Sequence, residues 1–96
     1  MDANISTALD QYAAAIKASY KGTLSFDVEV AMGRKYAKVI NVTHGGSRSV
    51  HAFVDIKTGD VYMPAGWNAP AKRVRFNLLN NFPDNITWSG GYLYLR

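Results

Sequence analysis

Basic and aromatic side chains are interleaved in two short segments of the sequence. The first contains Arg34, Lys35, Tyr36 and Lys38, and the second is the Lys-Arg-Val-Arg-Phe run at 72–76. Cations of this kind neutralise phosphates, and aromatic rings beside them stack on bases, so the pattern indicates a nucleic-acid-binding surface. The same residues are also typical of solvated edge strands, where charge prevents pairing with a neighbouring chain. The sequence leaves both interpretations open.

Positive charge is concentrated in the middle of the chain. Eleven Lys and Arg and seven Asp and Glu give a net charge of +4 over 96 residues. Residues 1–33 carry two basic and four acidic residues, whereas residues 34–75 carry eight basic and two acidic residues. A partner that recognises charge is therefore expected to be an anion bound by the central segment.

A single Trp between two prolines is the most distinctive local feature. Trp67 lies in the stretch from Pro64 to Lys72, which also contains Pro70. A ring held in this way is either a stacking platform for a base or an anchor that packs its own loop onto the core. The candidate nucleic-acid-binding residues are Arg34, Lys35, Tyr36, Lys38, Arg48, Trp67, Lys72, Arg73 and Arg75, with Phe76 as a further stacking candidate.

Residue types for catalysis or metal binding are sparse. The chain has no Cys, and its two His residues are His44 and His51. His51 and Asp55 are about 13 Å apart if they share one strand, too far for a hydrogen-bonded dyad. A two-His site without a carboxylate or thiolate partner is a poor metal site, and Ser47, near His44, has no oxyanion loop or third orienting group beside it. We therefore predict no enzyme activity, no metal site and no cofactor.

An amphipathic helix is predicted over residues 4–21. Asn4 or Ser6 is a suitable N-cap, and Gly22 is a suitable C-terminal stop. Apolar side chains recur at helical spacing and form one stripe. The stripe comprises Ile5, Leu9, Tyr12, Ala13, Ile16 and Tyr20.

From residue 24 the apolar period becomes two, which predicts strands. Consecutive strands joined by short turns of about two to five residues are antiparallel. The run from Asp55 to Val61 predicts a hairpin with Gly59 in a left-handed conformation, and residues 64–71 are predicted to be a loop. The expected strands lie near 26–30, 36–43, 50–56 and 61–63, with a final hairpin or bent strand at 86–95.

These elements predict one α+β, mostly β domain over residues 1–96, with an antiparallel sheet or barrel at 24–95. A helix followed by a strongly bent five-stranded sheet resembles the Sm-like fold in topology, with SH3-like and OB-type small barrels as neighbouring possibilities. The resemblance implies RNA binding and assembly into a homo-oligomer. The first implication agrees with the basic and aromatic composition described above.

A second resemblance lies in the segment from Gly59 through Trp67 to Lys72. Its Gly-Asp pair, Trp and Pro-Ala-Lys run are similar to a segment of small uncharacterised proteins of tailed bacteriophages, over about residues 36–78. This resemblance implies a viral origin without an assigned activity. We expect a cytoplasmic location, in the host if the protein is viral, because no signal peptide and no apolar run of about 20 residues is present.

Two functions follow as hypotheses. The first is non-catalytic binding of RNA or single-stranded DNA through the basic and aromatic residues. The alternative is a phage structural or assembly protein that acts through homo-oligomerisation, for which the apolar segment at 92–96 would add to a neighbour's sheet edge. Neither hypothesis involves a membrane.

Overall fold

The computed structural model describes residues 3–21, 25–79 and 86 of the chain. These residues form one helix followed by a five-stranded sheet, in which each strand is antiparallel to the next and the strand order is the chain order. The predicted α+β, mostly β class is therefore confirmed. The elements are α1 (Ala3–Ser19), β1 (Asp27–Met32), β2 (Tyr36–Val42), a 3-10 turn (His44–Gly46), β3 (Arg48–Asp55), β4 (Asp60–Pro64) and β5 (Pro70–Asn77).

Helix α1 packs on one face of the sheet through the predicted apolar stripe. Tyr12 and Ile16 have no exposed surface, because they lie between the helix and the sheet. The helix ends at Ser19, whose hydroxyl donates to the Ile16 carbonyl at 2.7 Å. The main contributors to the core on this side are Ile5, Ala8, Leu9, Tyr12, Ile16, Ala37, Val39, Ala52, Val54, Val61 and Leu78.

An ion pair joins the last turn of α1 to the start of β1. The Lys17 ammonium lies 3.2 Å from the Asp27 carboxylate. A hydrogen bond from the Val28 N–H and the nearby Lys17 charge hold the pKa of Asp27 below its ordinary value. Both side chains are more than half exposed, so the pair contributes little to stability and mainly fixes where the chain enters the sheet.

The β3–β4 turn has the geometry that its sequence predicts. Gly59 has a φ of 82°, and its N–H donates to the Asp55 carbonyl at 2.8 Å. The Asp55 carboxylate also accepts the N–H of Lys57 at 2.8 Å. Because L-residues with side chains avoid positive φ, glycine is required at this position of the turn.

The prediction for the end of the sheet is wrong in one respect. The segment at 70–77, part of which was predicted to be loop, forms strand β5, so the connecting loop is only 65–69. Proline is tolerated at strand ends, and Pro64 and Pro70 pair at the last position of the β4–β5 ladder. The predicted strand at 86–95 lies outside the described residues except for Ile86, which packs against the core.

The sheet is open within the described part of the chain. Strand β1 pairs with β2 and strand β5 pairs with β4, and the structure records no pairing between β1 and β5. Closure into a Sm-like, SH3-like or OB-type barrel is therefore not found in these residues. The predicted sheet is confirmed and the barrel is not.

Three register shifts interrupt the ladders of the sheet, one between β2 and β3 and two between β4 and β5, and they change which side chains face the helix. Val39 pairs with Ala52 but Ile40 pairs with Val50, so His51 is an extra residue in β3. Its ring lies 6.1 Å from the Tyr12 ring on the helix side. A bulge of this kind interrupts the simple alternation of a strand and increases its twist. A second shift in β5 makes Arg75 the extra residue there.

Candidate nucleic-acid interface

The sheet face opposite the helix, which we call the outer face, carries aromatic side chains from three strands. Ala37 and Val54 face the helix, so their neighbours Tyr36, Lys38 and Phe53 face outward, since side chains alternate along a strand. The register places Lys38 beside Phe53 and Phe53 beside Tyr62. One cation and two rings therefore form a row across β2, β3 and β4.

The rings of Tyr36, Phe53 and Tyr62 form a cluster with edge-to-face geometry. The Tyr36 ring lies 6.1 Å from Phe53 at 85° and 5.8 Å from Tyr62 at 83°. Such arrangements suit the quadrupoles of aromatic rings. Phe53 is only 3% exposed although it lies outside the helix-side core. Partial burial, and then the charge of Asp60, raises the pKa of the Tyr62 phenol.

The loop at 65–69 brings Trp67 to this face. The N–H groups of Ala65 and Gly66 both donate to the Ala69 carbonyl, at 2.9 and 3.2 Å, which closes the loop on itself. Trp67 at its tip remains 45% exposed. The sequence left open whether this Trp is a core anchor or a platform, and its large exposed fraction is what a platform requires.

Lys38 connects the loop to the aromatic cluster. Its ammonium lies 4.5 Å from the centre of the Trp67 ring and 5.9 Å from that of Phe53. It also donates a hydrogen bond to the Asn68 side-chain carbonyl at 3.2 Å. Each cation–π contact at a partly exposed site contributes about 0.5–1 kcal/mol. Lys38 thus holds positive charge between two aromatic rings.

Arg48 contacts both an acidic side chain and the same Trp. Its guanidinium carbon lies 5.9 Å from the Trp67 ring, and one terminal nitrogen lies 2.7 Å from the Glu29 carboxylate. Beside these groups is an open cleft of about 360 Å³ between the start of β3 and the loop. The cleft is lined by Arg48, Ser49, Val50, Pro64, Ala65, Gly66 and Trp67.

Five of the candidate residues named from the sequence come together on the outer face. They are Lys35, Tyr36, Lys38, Arg48 and Trp67. Lys35 lies with its ammonium 5.3 Å from the Tyr36 ring, at the end of the aromatic cluster. Lys38, Arg48 and Trp67 form the contacts described above. Arg34 is exposed in the β1–β2 turn, next to Lys35.

The basic residues of β5 are separated from this group. Lys72 and Arg73 are exposed in β5, which is separated from β2 by two strands in the sheet order. Arg75 lies on the helix side, with a terminal nitrogen 3.9 Å from the Met63 sulfur. Two other nitrogens of its guanidinium are buried without a hydrogen-bond partner. Phe76 packs in the core with its ring 5.7 Å from that of Tyr12.

Sequence reasoning missed four residues of the outer face. Phe53 and Tyr62 contribute rings, Asn68 binds Lys38, and Glu29 binds Arg48. The two rings were detectable in principle, because counting back from the Gly59 hairpin pairs Phe53 with Tyr62. The contacts of Asn68 and Glu29 are with residues 30 and 19 positions away, so no local sequence pattern indicates them.

The described residues contain no group of three or more His, Asp or Glu side chains placed to hold a metal ion. His51 is buried at the edge of Tyr12. In the same part of the chain, no helix has the length and apolar character needed to cross a membrane.

Comparison with known proteins assigns the chain to a family. It belongs to DUF7717, a family of unknown function whose model matches residues 3–95. Comparisons with curated proteins and with solved structures give no significant match. The phage origin, the cytoplasmic location and the homo-oligomerisation therefore stay predictions from the sequence.

Proposed function

We propose that this DUF7717 protein binds nucleic acid, without catalysis, through the outer face of its sheet. The observation that carries the proposal is the Lys38 ammonium held between the rings of Trp67 and Phe53, with Arg48 against the same Trp. Surfaces that bind single strands combine cations for the phosphates with aromatic faces for the bases. Both components occur here on one side of the sheet.

The exposure of Trp67 supports a binding role. Trp67 lies outside the helix-side core and keeps nearly half of its surface in solvent. Lys38 keeps positive charge beside this ring, and its contacts to Trp67 and Phe53, of about 0.5–1 kcal/mol each, also stabilise the fold.

The row of cations predicts a measurable salt dependence. Lys35, Lys38 and Arg48 are positioned for phosphate contact, and each contact to a single strand lowers log K by about 0.7 for each tenfold rise in salt. Three contacts give a slope near −2, so the affinity should fall by about 20-fold between 50 and 200 mM salt.

The test is fluorescence anisotropy with labelled single-stranded RNA, single-stranded DNA and duplex DNA at these two salt concentrations. Lys38→Gln should weaken binding and reduce the slope by about 0.7. Lys21→Gln is the matched control, because it removes the same charge from an exposed position after α1, which packs on the other side of the sheet.

Two results would contradict the proposal. One is the absence of binding at 50 mM salt, and the other is an equal effect of the Lys38 and Lys21 substitutions. In the first case the assembly function predicted from the sequence becomes the leading hypothesis, and light scattering of the purified protein measures its oligomeric state.

A further inference from the structure

We propose that the cleft beside Trp67 holds one unpaired base of a single-stranded nucleic acid, and that it holds the base by its ring face. This inference rests on the proposed function, because it names the form of nucleic acid that the outer face accepts. It adds a defined place for the base and predicts low sequence specificity.

The size and lining of the cleft suit a flat ring. Its volume of about 360 Å³ is at the lower end of the range of small-molecule sites, roughly 300–1,000 Å³. Val50 and Pro64 contribute apolar surface to its walls, and Trp67 contributes an aromatic wall. Arg48 is the charged residue of the lining, so the cleft offers an aromatic surface next to one cation. A base with its attached phosphate has the complementary chemistry.

Three polar groups of the loop are engaged within the protein. The N–H groups of Ala65 and Gly66 donate to Ala69, and the Asn68 carbonyl accepts from Lys38. These groups are therefore not available to read the edge of a base by hydrogen bonds. Stacking on an aromatic ring tolerates every base, because each base has a π face. We expect purines and pyrimidines to bind with affinities within several-fold of each other.

The placement of the cations favours a strand over a free nucleotide. Arg48 lies at the cleft, and Lys38 lies within β2. Lys35 directly precedes the first residue of β2. Arg48 pairs with Val42 of β2, and Lys35 lies seven positions before Val42. At the rise of a strand this spacing corresponds to about 23 Å. One nucleotide cannot contact cations over this span, whereas a strand with its base in the cleft continues along them.

The requirement for a free face of the base disfavours an intact duplex. In a duplex each base is stacked between its neighbours, so its face reaches Trp67 only after the base leaves the stack. The energy needed for this step makes a paired strand a weaker ligand than an unpaired one. Single-stranded binding is thus expected to exceed duplex binding at equal salt.

The experiment compares a DNA strand of about ten nucleotides with an abasic strand of the same length. The protein carries Trp88→Phe, which leaves Trp67 as its single Trp, since the sequence contains two. The strand with bases should bind at least about fivefold more tightly than the abasic strand and should quench Trp67, since stacking strengthens binding by roughly 5- to 100-fold per base. Strands of A, C and T should differ only several-fold.

A cleft-filling variant separates this inference from the proposed function. Val50→Phe should reduce the affinity for the strand with bases toward that of the abasic strand and leave the salt slope unchanged. Circular dichroism and thermal unfolding establish that this variant is folded. The comparison of the two strands uses no substitution in the cleft, so it stands even if the variant does not fold.

Each remaining outcome has one meaning. Equal binding of the two strands with a steep salt slope would overturn the base site and keep the proposed function. Binding of neither strand would overturn both. Equal affinity for the duplex, or full competition by a mononucleotide at the same concentration as the strand, would overturn the assignment to single-stranded nucleic acid.

Discussion

Glu29 is expected to weaken nucleic-acid binding, so a neutral side chain at this position should raise the affinity. Its carboxylate lies 2.7 Å from the Arg48 guanidinium and is half exposed on the outer face. A phosphate that approaches Arg48 must compete with this carboxylate and is also repelled by it. Glu29→Gln removes the competing charge and keeps a side chain of nearly the same size that still accepts a hydrogen bond from Arg48.

The magnitude follows from the exposure of the pair. The two side chains are 47% and 50% exposed, and ion pairs of this kind contribute about 0–1 kcal/mol. Loss of the pair should therefore reduce the free energy of unfolding by less than about 1 kcal/mol. Release of Arg48 should raise the affinity at 50 mM salt by up to about fivefold, which corresponds to about 1 kcal/mol. Because Arg48 already counts among the three phosphate contacts, the salt slope should stay near −2.

The assay is anisotropy of a labelled single strand over a salt series from 50 to 200 mM, with urea unfolding measured on the same preparations. Asp10→Asn is the matched control, because it removes one negative charge from an exposed position of α1. An unchanged or weaker affinity for the Glu29 variant would refute the reasoning. So would an equal gain for the Asp10 variant, since the effect would then reflect net charge alone.

Three further predictions concern stability. Asn77→Ala should lower the free energy of unfolding by about 2 kcal/mol in urea titrations, because the Asn77 amide donates to the Thr58 carbonyl and to Asp60 at 2.8 and 2.9 Å. Arg75→Met should raise it by about 1 kcal/mol, because two guanidinium nitrogens are buried without partners; a loss of stability would contradict this. The pKa of Tyr62 is raised above 10.0, so its contribution to stability is complete below pH 10 and is lost as the pH rises through the folded-state pKa. Unfolding measured from pH 9 to 11 should show a smaller alkaline loss for Tyr62→Phe than for the unmodified protein.

The helix and most of the sheet were predictable because their signals are local. The apolar stripe of α1 and the left-handed glycine of the β3–β4 turn both lie within a few residues of chain. Strand β5 was missed in part because Pro64 and Pro70 were interpreted as the ends of a loop. They lie instead at the ends of two paired strands, where a missing N–H costs little.

For the candidate site, the sequence predicted the types of residue that take part but not which of them are in contact. Lys38 and Trp67 are 29 positions apart in the sequence, and their contact depends on the sheet register and on the folding of the loop. For Arg75, sequence reasoning predicts the wrong face of the sheet. Counting back from the core residue Phe76 places it on the outer face, but the bulge turns it to the helix side. The extra position therefore removes Arg75 from the outer-face cations with which the sequence grouped it.

The two faces of the sheet bury aromatic rings in different ways, and this difference bears on function. Tyr12 and Phe76 are enclosed by apolar groups of the helix and the strands. Phe53 is covered on the other face by neighbours that include the Lys38 side chain, whose charge lies between two rings. Lys38→Met keeps an apolar stem over Phe53 but removes two cation–π contacts of about 0.5–1 kcal/mol each, so it should lower the free energy of unfolding by about 1–2 kcal/mol. The same substitution should weaken nucleic-acid binding, because the central cation of the outer face is lost.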